Sequence, residues 1–279
     1  MIPWGLVFMT KICCRDGELM SKTIVMIHGM FVGPWCWGNY VRHFEDVGYQ
    51  CITPALRFHD MDPDDSPNPQ VGKTSLLDYA EDLEKELGRL DAKPILMGHS
   101  MGGLLAQILG SRGLAKALVL LTPASPYGVV ALKPSVIRAF WSGFTKWGFW
   151  RRPIRPTDEE AASSALNLVP PGEREGICDK LVYESGRAAS EIGFWLLDSK
   201  KAAKVEASKI TVPVLVIAGT HDRLTPASVV RKVAEKYRGV STYKEFQDHA
   251  HWVLGEPGWE KIAAYVCEWL NRLVQPPNP

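Results

Sequence analysis

One serine stands where it could act as a nucleophile. Gly98-His99-Ser100-Met101-Gly102 reads G-x-S-x-G and is followed by Gly103. An apolar run ending at Met97 precedes it, and a helical pattern of Leu104, Leu105, Ile108 and Leu109 follows. In that context the serine sits on a sharp, strained turn, with its Oγ above the sheet's carboxyl edge and at a helix N-terminus. The glycines are there for steric reasons, because side chains flanking the turn would collide with neighbouring backbone. A serine hydroxyl hardly ionises at neutral pH, so it needs a base, and the base needs a carboxylate to orient it. Asp222, in Gly219-Thr220-His221-Asp222-Arg223, lies just beyond the apolar run 212–218 and is the expected acid. The base is expected after the last strand, in Asp248-His249-Ala250-His251-Trp252. His251 is the first choice and His249 the second. His99 and His221 are read as supporting residues, and His43 and His59 as surface or loop residues.

Acyl transfer also needs backbone donors for the oxyanion. The Met101 amide, next to the nucleophile, is one. The other is expected in His28-Gly29-Met30-Phe31-Val32-Gly33, after the first strong strand, with Met30 first choice and Phe31 second.

The elements that would hold these residues follow from the apolar pattern. Short buried-type runs occur at 23–27, 49–53, 94–98, 116–121, 212–218 and 241–246. Between them lie amphipathic segments, among them Trp37, Tyr40, Val41, Phe44 and Val47, then Leu76, Leu77, Ala80, Leu83 and Leu87, and finally a repeat from Trp259 to Leu273. Short strands alternating with helices predict a mostly parallel sheet covered on both faces. From about 123 to 209 no convincing buried strand appears, so this stretch reads as a helical lid inserted between two strands. The expected division is a core of residues 1–123 and 209–279 and a cap of residues 124–208. In the cap, Phe140, Phe144 and Trp147 fall on one helical face, with Trp141, Trp150 and Trp195 also there. The expected pocket comprises Gly29, Phe31, His99, Trp141, Trp147, Trp195 and Trp252.

HGMF, GHSMGG, GTHDR and HAHW, in that order, resemble the α/β-hydrolase superfamily, in its serine esterase/lipase-like branch with a helical cap. The segment from His28 to Leu56 also resembles the small esterase and hydroxynitrile-lyase-like branch, where an HG-x-x-x-G-x-W-x-W stretch, here 28–37, opens the first helix. The resemblance spans residues 23 to about 274. It implies a sheet of about eight strands, a cap and no cofactor, and Ser100 in place of Asp disfavours epoxide hydrolases and haloalkane dehalogenases. The expected activity is hydrolysis of a carboxylic ester or lactone of a moderately apolar small molecule through an acyl-enzyme on Ser100. The alternatives are C–C bond or thioester hydrolysis on the same residues, a hydroxynitrile-lyase-like reaction, or a non-catalytic ligand receptor.

Composition narrows the partners. The 279 residues are 46% hydrophobic, enough for a sizeable core, and their 32 Lys+Arg against 31 Asp+Glu give a net charge of +1. That balance offers no broad footprint for nucleic acid or an anionic membrane. The six cysteines form no CxxC or zinc pattern and read as free thiols of a reducing compartment, so a cytoplasmic monomer or homodimer is expected. The apolar run 2–9 is too short to span a bilayer and has no basic region before it, so it reads as an edge strand, not a signal peptide. Met9 or Met20 is the alternative start, and the five C-terminal residues read as a frayed tail. Gly72-Lys73-Thr74 is not a phosphate loop, since Pro67 stands where its first glycine belongs, and the acids at 60–65 fail the EF-hand pattern. Residues 57–73 are expected as a long surface loop at the active-site mouth.

Overall fold

Beta-branched and leucine-rich runs supply the strands, and their alternation decides which helix each face meets. A computed structural model describes residues 22–274 apart from 132. The readings of run 2–9, Cys13, Cys14 and the C-terminal tail lie outside them. The first half runs β1 (Thr23–Ile27), α1 (Gly38–Asp46), β2 (Gln50–Ile52), α2 (Leu76–Leu87), β3 (Ile95–His99), α3 (Met101–Ser111) and β4 (Ala117–Leu121). An insertion follows: α4 (Pro134–Ala139), α5 (Trp141–Phe144), β5 (Pro153–Ile154), α6 (Asp158–Ser163), α7 (Pro171–Cys178), β6 (Glu184–Ser185) and α8 (Gly186–Gly193). The chain then returns through β7 (Val214–Gly219), α9 (Ala227–Lys236), β8 (Ser241–Phe246) and α10 (Trp259–Val274).

Six strands form one sheet in the order β2-β1-β3-β4-β7-β8, and every pairing is parallel. The resemblance implies about eight strands; the described residues supply six. A second difference lies in the insertion, where β5 and β6 pair antiparallel. At two residues each they are too short to show any alternation in the sequence.

The pleat sends successive side chains to opposite faces. Val25, Ile27, Leu96, Leu118, Leu120, Val214 and Val216 pack with residues of α2, α3 and α9. Ile24, Met26, Ile95, Met97, Val119, Leu215 and Ile217 pack with residues of α1 and α10. Helix α1 shows why the expected face overruns slightly. Trp37, Tyr40 and Phe44 are fully buried, but Val47 is the residue that ends the helix and is 49% exposed.

Two buried carboxylates tie the insertion to the core. Glu191 of α8 accepts from Ser75 Oγ and from the Leu76 amide (2.8 Å each), so it sits on the N-terminus of α2, where the helix dipole favours an anion. Glu184 of β6 accepts from Tyr79 Oη at 2.7 Å and lies 3.0 Å from His59 Nε2. His59, expected as a surface or loop residue, does lie in a loop but is buried. Its Nδ1 faces the Arg57 carbonyl at 3.1 Å, so both ring nitrogens meet acceptors, which suits an imidazolium. Burial alone would lower its pKa, but the Glu184 carboxylate, with the Arg57 carbonyl and Asp60, outweighs this and raises it. The loop 57–73 likewise packs on the insertion and lines no part of the cavity beside Ser100: Arg155 donates to the Pro63 carbonyl at 3.0 Å, and Arg187 to that of Lys73 at 3.1 Å.

Candidate active site

The turn at Ser100 is as tight as the glycine spacing requires. Ser100 has φ 53° and ψ −120°, a conformation that L-residues rarely adopt and that costs about 1–3 kcal/mol. A Cβ on Gly98 would lie 2.2 Å from the Gly102 carbonyl oxygen, and one on Gly102 would lie 2.0 Å from that of Ile27. The bare backbones let α3 start directly against β1 and β3. Gly29 serves the same close approach from the facing loop, since a Cβ there would lie 3.0 Å from Ser100 Cβ.

Asp222, at the end of β7, is buried and faces His251. His251 Nδ1 lies 2.8 Å from Asp222 Oδ2. The Leu224 and Thr225 amides both donate to Oδ1 at 2.8 Å, and Thr225 Oγ1 stands 2.7 Å from Oδ2. Burial pushes this carboxyl up, but the His251 imidazole and these donors more than offset it and hold it below the usual carboxylate range. His249 points elsewhere: its Nδ1 is 3.0 Å from Glu256 Oε1, which also accepts from the Ala250 amide. Of the two competing histidines, only His251 meets the Asp222 carboxylate.

The backbone of His251 is held from below. Its carbonyl accepts from His99 Nε2 at 2.9 Å and from Thr122 Oγ1 at 3.3 Å. Burial, then the neighbouring His251, pushes the His99 pKa down to about 3, so His99 is neutral and its Nδ1 carries no proton. His28 is also neutral, with burial foremost and then His59 lowering it to about 3. Its Nδ1 donates to the Gly29 carbonyl at 2.9 Å and its Nε2 accepts from the Leu56 amide at 3.0 Å. This histidine thereby pins the loop that carries Met30 and Phe31. Phe31 has φ 66°, and its carbonyl accepts from Val182 of the insertion at 2.8 Å. The amides of Met30, Phe31 and Met101 find no acceptor among the described residues.

Ser100 and His251 open onto one cavity of about 120 Å³. Met30, Phe31, His99, Met101 and Trp252 line it from the core side, and Val136, Ala139, Phe140, Ala161, Ala189 and Ile192 from the insertion. No Asp, Glu, Lys or Arg lines it. The Ser125 hydroxyl belongs to its wall, is buried, and has no partner among the described residues.

Of the expected pocket residues, Phe31, His99 and Trp252 line the cavity, Gly29 lies against Ser100 without lining it, and three lie elsewhere. Trp141 and Trp147 are 60% and 86% exposed, and Trp195 packs on Tyr127 with ring centroids 4.5 Å apart. The assumed helical face fails because α4 ends at Ala139, α5 is a single turn, and Gly148 turns the chain with φ 78°. Thr225 and Thr122 were not singled out in the sequence. The Asp-x-x-Thr spacing of 222–225, a common local side-chain-to-backbone turn, was the available signal for the first.

The sequence pattern of the alpha/beta hydrolase family matches residues 24–264. The chain belongs to this family. Within it, methylesterase 4 of Arabidopsis thaliana is 33% identical over 97 residues, which are 32% of this chain and 33% of that protein. Protein ABHD8 of Homo sapiens is 25% identical over 244 residues, 81% of this chain and 50% of that protein. The chain thus spans between a third and half of the length of these relatives. An Arabidopsis methylesterase structure superposes with a TM-score of 0.66 at 16% identity, covering 89% of this chain and 98% of its own. The Paleococcus ferrophilus monoacylglycerol lipase does so with a TM-score of 0.65 at 22% identity, covering 89% and 93%. At those identities the likeness is one of fold. Among the described residues, no helix is long and apolar enough to cross a membrane, and no three His, Cys, Asp or Glu are grouped to hold a metal.

Proposed function

We propose that the protein is a serine hydrolase that cleaves the carboxylic ester or lactone of an uncharged, apolar small molecule. The observation that carries this reading is the buried His251–Asp222 pair, 2.8 Å apart, opening with the strained Ser100 onto one apolar cavity. In this mechanism Ser100 Oγ attacks the carbonyl carbon and His251 Nε2 takes its proton. Asp222, kept ionised by its donors, stabilises the imidazolium. The amides of Met101 and Met30, with Phe31 the second choice, stabilise the oxyanion. The alcohol leaves with the proton from His251, which then activates water to release the acid. Residues 124–208 serve as the cap that closes the acyl pocket. The cavity suits a group on the order of a benzene ring in size. Esterase and lipase names among the similar proteins support ester chemistry.

The test is labelling with a fluorophosphonate, read by intact mass. The wild type should gain one adduct and Ser100→Ala none. An adduct that persists in Ser100→Ala, or none in the wild type, refutes the nucleophile. His251→Ala should lose several orders of magnitude in kcat on p-nitrophenyl esters, whereas His249→Ala should not.

A further inference from the structure

The outer face of the insertion is apolar and cationic, and the proposed reaction does not use it. Among the described residues, the large hydrophobic side chains left exposed lie within 124–208, with Val47 the one exception. Trp147 is 86% exposed, Leu197 84% and Leu196 75%. These side chains are not scattered. Trp147 packs edge-on against Trp150 at 5.3 Å, and Trp150 and Leu197 line one surface groove. A patch of that kind marks an interaction site.

The charges are sorted onto the same segment. Residues 129–152 contain Lys133, Arg138, Lys146, Arg151 and Arg152 and no Asp or Glu. The whole chain has a net charge of +1, so the remainder carries −4. All five cations are exposed, and none forms an ion pair with a described residue. Some surface cations elsewhere are paired, as in Lys85–Glu81, Arg112–Glu84 and Arg231–Glu245, but what sets this segment apart is five cations in 24 residues without one acid.

We propose that this face docks the protein peripherally on an anionic lipid bilayer. Tryptophan has an apolar body and an N–H donor, which suits the headgroup boundary, and the leucines reach the acyl region beside it. The unpaired cations complement lipid phosphates, with their methylene stems laid along the apolar surface. A second copy of the chain fits less well, because face-to-face docking would oppose like charges. Helix α4 joins the two sides: Val136 and Ala139 line the cavity, while Ile137 and Arg138 are exposed.

The experiment is co-sedimentation of the full chain with vesicles of phosphatidylcholine alone or mixed with phosphatidylglycerol, with tryptophan emission recorded on the same samples. Binding to the anionic vesicles should exceed that to neutral ones by roughly tenfold or more, fall with added salt, and shift the emission to the blue. Lys146→Glu with Arg151→Glu should abolish the anionic preference. Trp147→Ser with Leu197→Ser should weaken binding by roughly tenfold or more while leaving the melting temperature unchanged. Absence of vesicle binding, or binding that survives both double variants, overturns the proposal. A concentration-dependent dimer that Trp147→Ser with Leu197→Ser disperses, without vesicle binding, would assign the face to a second copy instead.

Discussion

Asp222 is a fully buried carboxylate whose two oxygens are contacted by two amides, a threonine hydroxyl and an imidazole. In the proposed reaction Thr225 would position Asp222, to which its amide and hydroxyl both reach. Thr225→Val removes one donor while keeping the shape of the side chain. It should lower kcat on p-nitrophenyl esters by roughly tenfold with KM nearly unchanged, the split expected when only the orientation of the acid is disturbed. Ser125 presents the opposite case. Its neighbour Ala124 is pinned on both sides, the amide donating to the Ser100 carbonyl at 2.9 Å and the carbonyl accepting from Gln107 at 3.4 Å. A buried hydroxyl without a partner is destabilising, so Ser125→Ala should raise stability by about 1–3 kcal/mol in urea unfolding. A loss of stability would show that the hydroxyl is paired within the folded protein.

At the scale of elements, the contact of β6 with the core is the sensitive one. His59 and Glu184 are both buried, and removing one partner from such a pair costs about 3–5 kcal/mol. Glu184→Gln should be destabilised by that amount in acid, which urea unfolding measures. The pH dependence follows from the raised pKa of His59. The unfolded imidazole titrates near ~6.5, so the pair's stabilisation is complete below about that pH and is lost as pH rises through the higher folded value. The wild-type melting temperature should fall as pH rises through that window, and the variant should be flatter there. The helices adjoining the sheet were legible in sequence because each must bury one stripe against it. The insertion was not, because its helices are short and its packing contacts are distant in sequence. A face assumed to continue from Phe140 to Trp147 is broken by the chain's exit from helix after Phe144.

On the scale of the whole molecule, the cavity and the outer surface divide the polar work. The cavity walls carry no charged side chain, although the chain has 63 charged residues and seven histidines. An ionised substrate group would have to leave water without a partner. The hemisuccinate ester of a given alcohol should therefore be hydrolysed with a kcat/KM roughly a hundredfold below that of its butyrate ester. Equal rates would mean that the acyl group lies outside this cavity. The net charge of +1 concealed the run 129–152, which holds five cations and no acid, because a sum carries no position.

The amino-acid sequence by itself determined the alternating α/β architecture and the tight turn at Ser100, since both rest on short-range rules. Strand and helix periods are local, and so are the steric demands that make residues 98 and 102 glycine. It also placed Asp222 and the two histidines at the carboxyl edge of the sheet, where strands end. Only the tertiary structure decided which histidine meets Asp222. His249 and His251 stand two residues apart in one loop, and their partners come from different elements: Glu256 for one, the end of β7 for the other. The burial of His59 was decided in the same way, by its contact with Glu184, 125 residues further along the chain.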